Sequence, residues 1–392
     1  MVGGRSAAVD VRESLRAIPC QGLVSLVTGK PHQGQRGFRM TPAFHVAGAA
    51  ASICLGLGAS ALGLLVASAS GGLLVLLGWA MTLHGMRNLR IMIFHHCAHG
   101  RMWGHRGLDR FTGSLISGLL VVPDLQAYSV EHVADHHSRH HMSMRDPTVR
   151  TLIVTLGLRA GMSPRAMWRR LVRQLASPRF HLRFALARVQ ACLGGATWRQ
   201  RAAIVVSYGV LTLLLTRFDA WIWFLVGWVV PLTLPFQVAN TLRLCARHTF
   251  PDPGDRSPAR VHVANLTSAV FLGDAAPPRE LAPAARLASW LAWWARMAFV
   301  HLPSRYLVIT GDTVCHDYHH RHPNLGGWAD YIFARQRDVE SGHPGWPPYR
   351  EVWGLVPAIN LVFESLSAAD PNLYDPALIP AAERRRLSTF DD

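Results

Sequence analysis

The chain has 392 residues, enough for one large domain or two smaller ones, and half of them are hydrophobic. Lys and Arg number 40 against 24 Asp and Glu, a formal net charge of +16. Six scattered cysteines without a C-x-x-C pair exclude a zinc ribbon or a disulfide framework, and the apolar bulk favours an integral membrane protein.

Residues 1–43 are expected to form an N-terminal cytosolic segment without the features of a cleaved secretory signal. Phe44 to Ala67 then runs without Lys, Arg, Asp or Glu. At about 1.5 Å per residue it is long enough for a hydrocarbon core of roughly 30 Å. A link of small residues, Ser68 to Gly72, leads to a second apolar run from Leu73. Charge returns at Arg87 and Arg90, so this helix is predicted to leave the lipid before His95. Leu115 to Val122 is apolar but too short to cross.

Arg150 to Arg201 is a basic stretch, with Arg159, Arg165, Arg169, Arg170, Arg173, Arg179, Arg183, Arg188 and Arg199. The positive-inside tendency makes it cytosolic. Such charge also suits nucleic acid, but topology and anionic headgroups account for it here, and no nucleic-acid partner is expected. Ala202 to Thr216 and Ala220 to Val238 form a second apolar pair, joined by Arg217, Phe218 and Asp219; the first of them is short for a span. Tyr349 to Leu366 reads as an amphipathic helix, lying on the membrane or capping the cytosolic side. Residues 345–392 are expected to form a cytosolic tail.

Three patches hold twelve of the 21 histidines: His95, His96 and His99; His132, His136, His137, His140 and His141; and His316, His319, His320 and His322. Four crossings with a cytosolic basic stretch put all three patches, and His248, on one face. Neutral imidazole is the commonest protein ligand for transition metals. His95 and His99, four apart, share a helix face, and His316, His319 and His320 fall within a narrow sector. In the middle patch periodicity prefers His137, His140 and His141, while His132, His136 and His137 are the alternative. Eight or nine such ligands imply two metals, since a catalytic zinc usually needs three protein ligands and an open position.

With those patches in this order, the chain resembles the membrane fatty acid desaturase and hydroxylase superfamily, with its three histidine boxes and non-haem diiron centre. HHCAHG resembles the first box, with His95 and His99 in the ligand places and His96 where the family often has Asp. YSVEHVADHHSRHHMSMRDP resembles the second. Eight residues separate His137 from Asp146 but only four separate His141 from it. The family spacing therefore implies His132, His136 and His137, with His140 and His141 as second choices. HDYHHRHP matches the third box through His316, His319 and His320, and His248 is the counterpart of an extra histidine after the last span.

The resemblance implies an all-α membrane fold of about four transmembrane helices with a cytosolic helical cap, the membrane and catalytic domain covering 44–344. It implies two iron ions, dioxygen as co-substrate, and hydrogen abstraction from an acyl chain or lipid-like substrate, giving alkene or alcohol. A separate electron donor, ferredoxin-, rubredoxin- or cytochrome-like, with its reductase, is then required, and an acidic one suits the basic face. The expected location is a membrane crossed several times with the site on its cytosolic face, the inner membrane if the cell is bacterial. Asp135, Glu131, Asp146, Asp312 and Asp317 are candidates to orient ligand imidazoles. The alternative is a membrane-embedded zinc hydrolase. A metal transporter would carry its ligands inside the spans, where only His45 and His84 occur.

Overall fold

The structure is a computed structural model that describes residues 10–66, 68–138 and 140–380. The first nine residues of the N-terminal segment, Ala67 at the end of the first apolar run, and the last twelve residues of the tail lie outside it. The described chain is mostly helical, and its named strands are two three-residue pieces, β1 (Ala269–Phe271) and β2 (Glu351–Trp353), paired in parallel.

Helix α1, Pro42–Leu65, starts where the Thr41 hydroxyl accepts the Phe44 N–H and Pro42 occupies a first-turn position that needs no donor. Helix α2 runs from Ala69 to Ala98, capped by Ser68 and passing through a π-helical stretch at Leu89–Phe94. The two pack through glycine. A Cβ on Gly78 would meet the Gly56 carbonyl oxygen at 2.6 Å, and one on Gly85 the Ala49 carbonyl at 2.6 Å, so the backbones touch where side chains would hold them apart.

Among the described residues, three helices are long and apolar enough to cross a membrane: α1, α2 and a third, Trp221–Arg247. Only 22% of the most apolar window of α1 is buried inside the protein, and Leu55, Leu62 and Leu65 face outward. An apolar helix that buries so little against its own chain needs an apolar solvent. The segment Ala202 to Thr216 lies in a fourth helix, Trp198–Arg217, whose apolar part between Arg201 and Arg217 is about 22 Å long at about 1.5 Å per residue. It falls short of the length and apolarity of the other three. The tight link does form, with Asp219 left-handed at φ 49°.

Arg87 and Arg90 do not mark the exit of α2 into water. They are 0% and 1% exposed. Arg87 donates to the Val308 carbonyl at 2.8 Å, and Arg90 lies over the rings of Phe94 and Tyr128 at 4.6 and 4.4 Å. Charge within an apolar run read as an end of the span, whereas both guanidiniums turn into the protein.

After α2 come α3 (Arg106–Leu120) and α4 (Leu125–Glu131), the latter continuing as a π turn over His132–His136. The basic stretch folds as α5 (Pro164–Leu175) and α6 (Pro178–Gly194), followed by α7 (Trp198–Arg217) and α8 (Trp221–Arg247). Arg165, Arg169, Arg170, Arg173, Arg179 and Arg183 are exposed. Arg188 is not: it is buried and donates to the carbonyls of Leu120, Val121 and Leu232, joining α3 to α6 and α8. The third box opens a short helix, α9 (His316–Arg321). Tyr349 to Leu366 divides at Gly354, whose φ of 98° suits glycine. Before it lies β2, and after it α10 (Leu355–Ala368) buries Ile359, Val362, Phe363 and Leu366 and packs on α8.

Candidate metal centre

Nine histidines from four chain segments converge beside the C-terminal ends of α2 and α8. His95, His99, His132, His137 and His319 form one group whose ring nitrogens all lie within 4.8 Å of one another, and His136, His248, His316 and His320 form a second on the same criterion. Every one of the nine residues expected from the boxes is in one group or the other. The groups adjoin: the rings of His137 and His320 stack at 4.3 Å.

The boxes do not each serve one position. In α9, His316 and His320 are one turn apart, their Nε2 atoms 3.1 Å from each other, while His319 points away to lie 2.9 Å from His95 Nε2 and 3.2 Å from His137 Nε2. The narrow sector expected for the third box therefore straddles two sites. The middle box divides likewise because its turn is π-helical. The His137 N–H reaches the His132 carbonyl, five residues back, at 2.9 Å, and both Nε2 atoms come to 2.9 Å. His136 is left facing the second group. Periodicity at 3.6 residues per turn could not anticipate this, and π turns of this kind are frequent at functional sites.

At three of the histidines the outer nitrogen is held by another group. His136 Nδ1 is 3.1 Å from both oxygens of Asp146, whose carboxylate also accepts the N–H groups of Met142 and Thr148. His95 Nδ1 lies 3.1 Å from the Tyr128 hydroxyl, and His248 Nδ1 lies 3.2 Å from that of Thr267. This wiring places the N–H outward and turns the Nε2 lone pairs toward a common centre. Of the five acidic candidates, Asp146 holds one of the nine. Asp312 lies 2.9 Å from Nε2 of His96, which stacks on Trp328; Asp317 binds Arg335; Asp135 pairs with Arg145 near the surface; and Glu131 is exposed at the end of α4.

Burial favours the neutral imidazole at five of the histidines outside the spans. It holds His137, His248, His316 and His320 well below the usual value, with neighbouring imidazoles adding to the effect. It takes His319 to about 3 against the opposing pull of Asp312. Neutral imidazoles whose lone pairs converge at about 3 Å repel unless something positive lies between them, and that form is the one metals bind. The donor set therefore fits transition-metal ions at both positions. Arg247, whose guanidinium lies 3.1 Å from His316 Nε2, adds a positive charge at the edge of the second group.

Tyr128, Thr267, Arg247 and Trp328 join the site without being singled out from the sequence as partners of particular histidines. Tyr128 alone had a signal, as the aromatic residue opening the second box. His45 and His84, the histidines inside the spans, are bonded to the carbonyls of Ala329 and Tyr306 at 2.8 Å each and form no path. An apolar cavity of about 800 Å³ between α1, α3, α7 and α8 is lined by none of the nine histidines.

No protein-family model matches the chain, and no curated protein matches its sequence.

Proposed function

We propose that the chain is an oxygen-dependent membrane oxidoreductase of the desaturase and hydroxylase kind, holding two irons and acting on an acyl chain or lipid-like substrate. The observation that carries this reading is the division of nine imidazoles, seven of them buried and two partly so, into adjoining groups of five and four beside the ends of apolar helices. A single zinc with three ligands, as in a hydrolase, would leave most of these imidazoles without a role. Two bound irons would supply, with dioxygen and external electrons, the power to take hydrogen from an unactivated C–H bond. The chain's part is to fix the imidazoles through Asp146, Tyr128 and Thr267 and to keep bulk water from a site where most of the ligands are buried.

Assembly of one site from these segments supports four crossings. The first and third boxes meet, yet α8 lies between them in sequence, and a single crossing would put them on opposite faces. A second crossing by α7 restores the parity. Its Arg199, Arg201 and Arg217 sit at the ends, where long side chains reach the headgroups and make up for a short apolar stretch. The exposed arginines of α5 and α6 support a cytosolic placement of the site and suit the docking of an acidic electron-donor protein.

Metal analysis of the purified chain tests the reading. Two irons per chain, with dioxygen- and reductant-dependent change of a lipid acyl chain, is the expected result. One zinc and no iron would refute it. Cysteine labelling in the Arg217–Asp219 link from the side opposite α5 tests the crossing by α7.

A further inference from the structure

A fifth imidazole stands beside the four-histidine group. His141 is 1% exposed, and its ring lies 4.5 Å from His248, 4.8 Å from His136 and 4.9 Å from His320. Those three keep the same spacing among themselves, 4.7 to 4.9 Å. The Nδ1 of His141 is 3.0 Å from the His136 carbonyl oxygen and 3.5 Å from Asp146. Both are acceptors, so Nδ1 carries the proton and the lone pair is on Nε2. That Nε2 is buried and meets no hydrogen-bond partner among the described residues. Buried polar atoms are nearly always partnered, and an orphan calls for an unseen ligand. Asp146 thus orients two histidines at once, His136 within the group and His141 next to it. His140, by contrast, is only half-buried in the turn that follows.

We propose that His141 is a fifth imidazole ligand of the four-histidine position, so that each of two ions is held by five histidines. The inference rests on the dimetal reading. It matters chemically because a fifth ligand fills a position that would otherwise be open at the second ion, and so biases small-molecule binding toward particular faces of the pair.

The test uses the full chain loaded with cobalt(II), whose visible bands intensify as coordination falls from five or six ligands to four. His141→Phe keeps a buried ring and removes Nε2, His141→Ala removes the ring, and His140→Ala is the control. The wild type is expected to take two cobalt ions. In both His141 variants the affinity of one ion should fall at least tenfold and its bands should intensify, and the control should match the wild type. Free imidazole should restore the spectrum of His141→Ala. Two ions with wild-type spectra in either His141 variant would overturn this inference while leaving the dimetal reading intact, even if affinity were reduced. A wild-type chain that takes fewer than two ions would overturn both.

Discussion

The amide of His137 donates to the carbonyl of His132 across five residues, and the two imidazoles enter the same five-histidine group while His136 between them faces the other. His132→Ala and His137→Ala should therefore weaken one and the same ion, whereas His136→Ala and His320→Ala should weaken its neighbour. Mössbauer spectra of iron-57-loaded variants would separate the two classes. If His132→Ala and His136→Ala disturb the same iron, the division is wrong.

Asp146 combines two duties, orienting His136 and accepting the Met142 and Thr148 amides. Asp146→Ala should cost about 10- to 100-fold in metal affinity, the usual effect of removing the carboxylate behind a ligand imidazole. Asp146→Asn keeps one acceptor oxygen and should lose less. Competition with a chelator gives both values.

Behind the third box, Arg335 is 2% exposed and donates to both oxygens of Asp317 at 2.8 to 3.1 Å. Asp317→Leu would leave a buried guanidinium held only by the partly exposed Glu351, and should destabilise the fold by about 3–5 kcal/mol. Asp317→Leu with Arg335→Met should recover much of that. Thermal unfolding in detergent measures both, and equal losses in the single and double variants would contradict the account.

Histidine ordinarily changes charge between about pH 5 and 8. Here His319 is lowered to about 3 and four others lie well below the usual value of 6.5, so the neutral form survives as pH falls through that window. In the folded chain these imidazoles take up protons only in stronger acid, whereas the stability that a lowered folded pKa gives is complete above the unfolded value and declines progressively as pH falls from there through the folded one. While the chain stays folded, metal retention should be flat from about pH 8 to pH 5 and fail in stronger acid. Release with a midpoint near 6.5 would count against it.

Gly78 lies against Gly56 and Ser60 of α1. Gly78→Leu should part α1 from α2 and destabilise the protein, whereas Gly72→Leu, with open space around it, should be tolerated. Proteolytic susceptibility in detergent would distinguish the two.

The sequence made the helical character and the apolar runs of α1, α2 and α8 legible because unbroken hydrophobicity is a strong local signal. It made the nine histidines legible through spacing and resemblance. What it could not convey depended on contacts between distant parts. Arg87 and Arg90 look like a helix leaving lipid, yet their partners are Val308, Phe94 and Tyr128. Arg188 looks like one more surface cation, yet three backbone carbonyls bind it. The sharing of each box between two groups depends on a π turn in one case and on the facing box in the other. No local pattern records either.

His95 meets His319 across 224 residues, and His248 meets His316 across 68. Neither group can close until the third box has left the ribosome and packed against helices already in the bilayer. For most of synthesis the early histidines lack the imidazoles of the third box, which complete both groups. On the dimetal reading, metal loading is a late step that follows completion of the helical frame. On the same reading, the long loop between first and last ligand delays any reaction until there is a closed site to contain it.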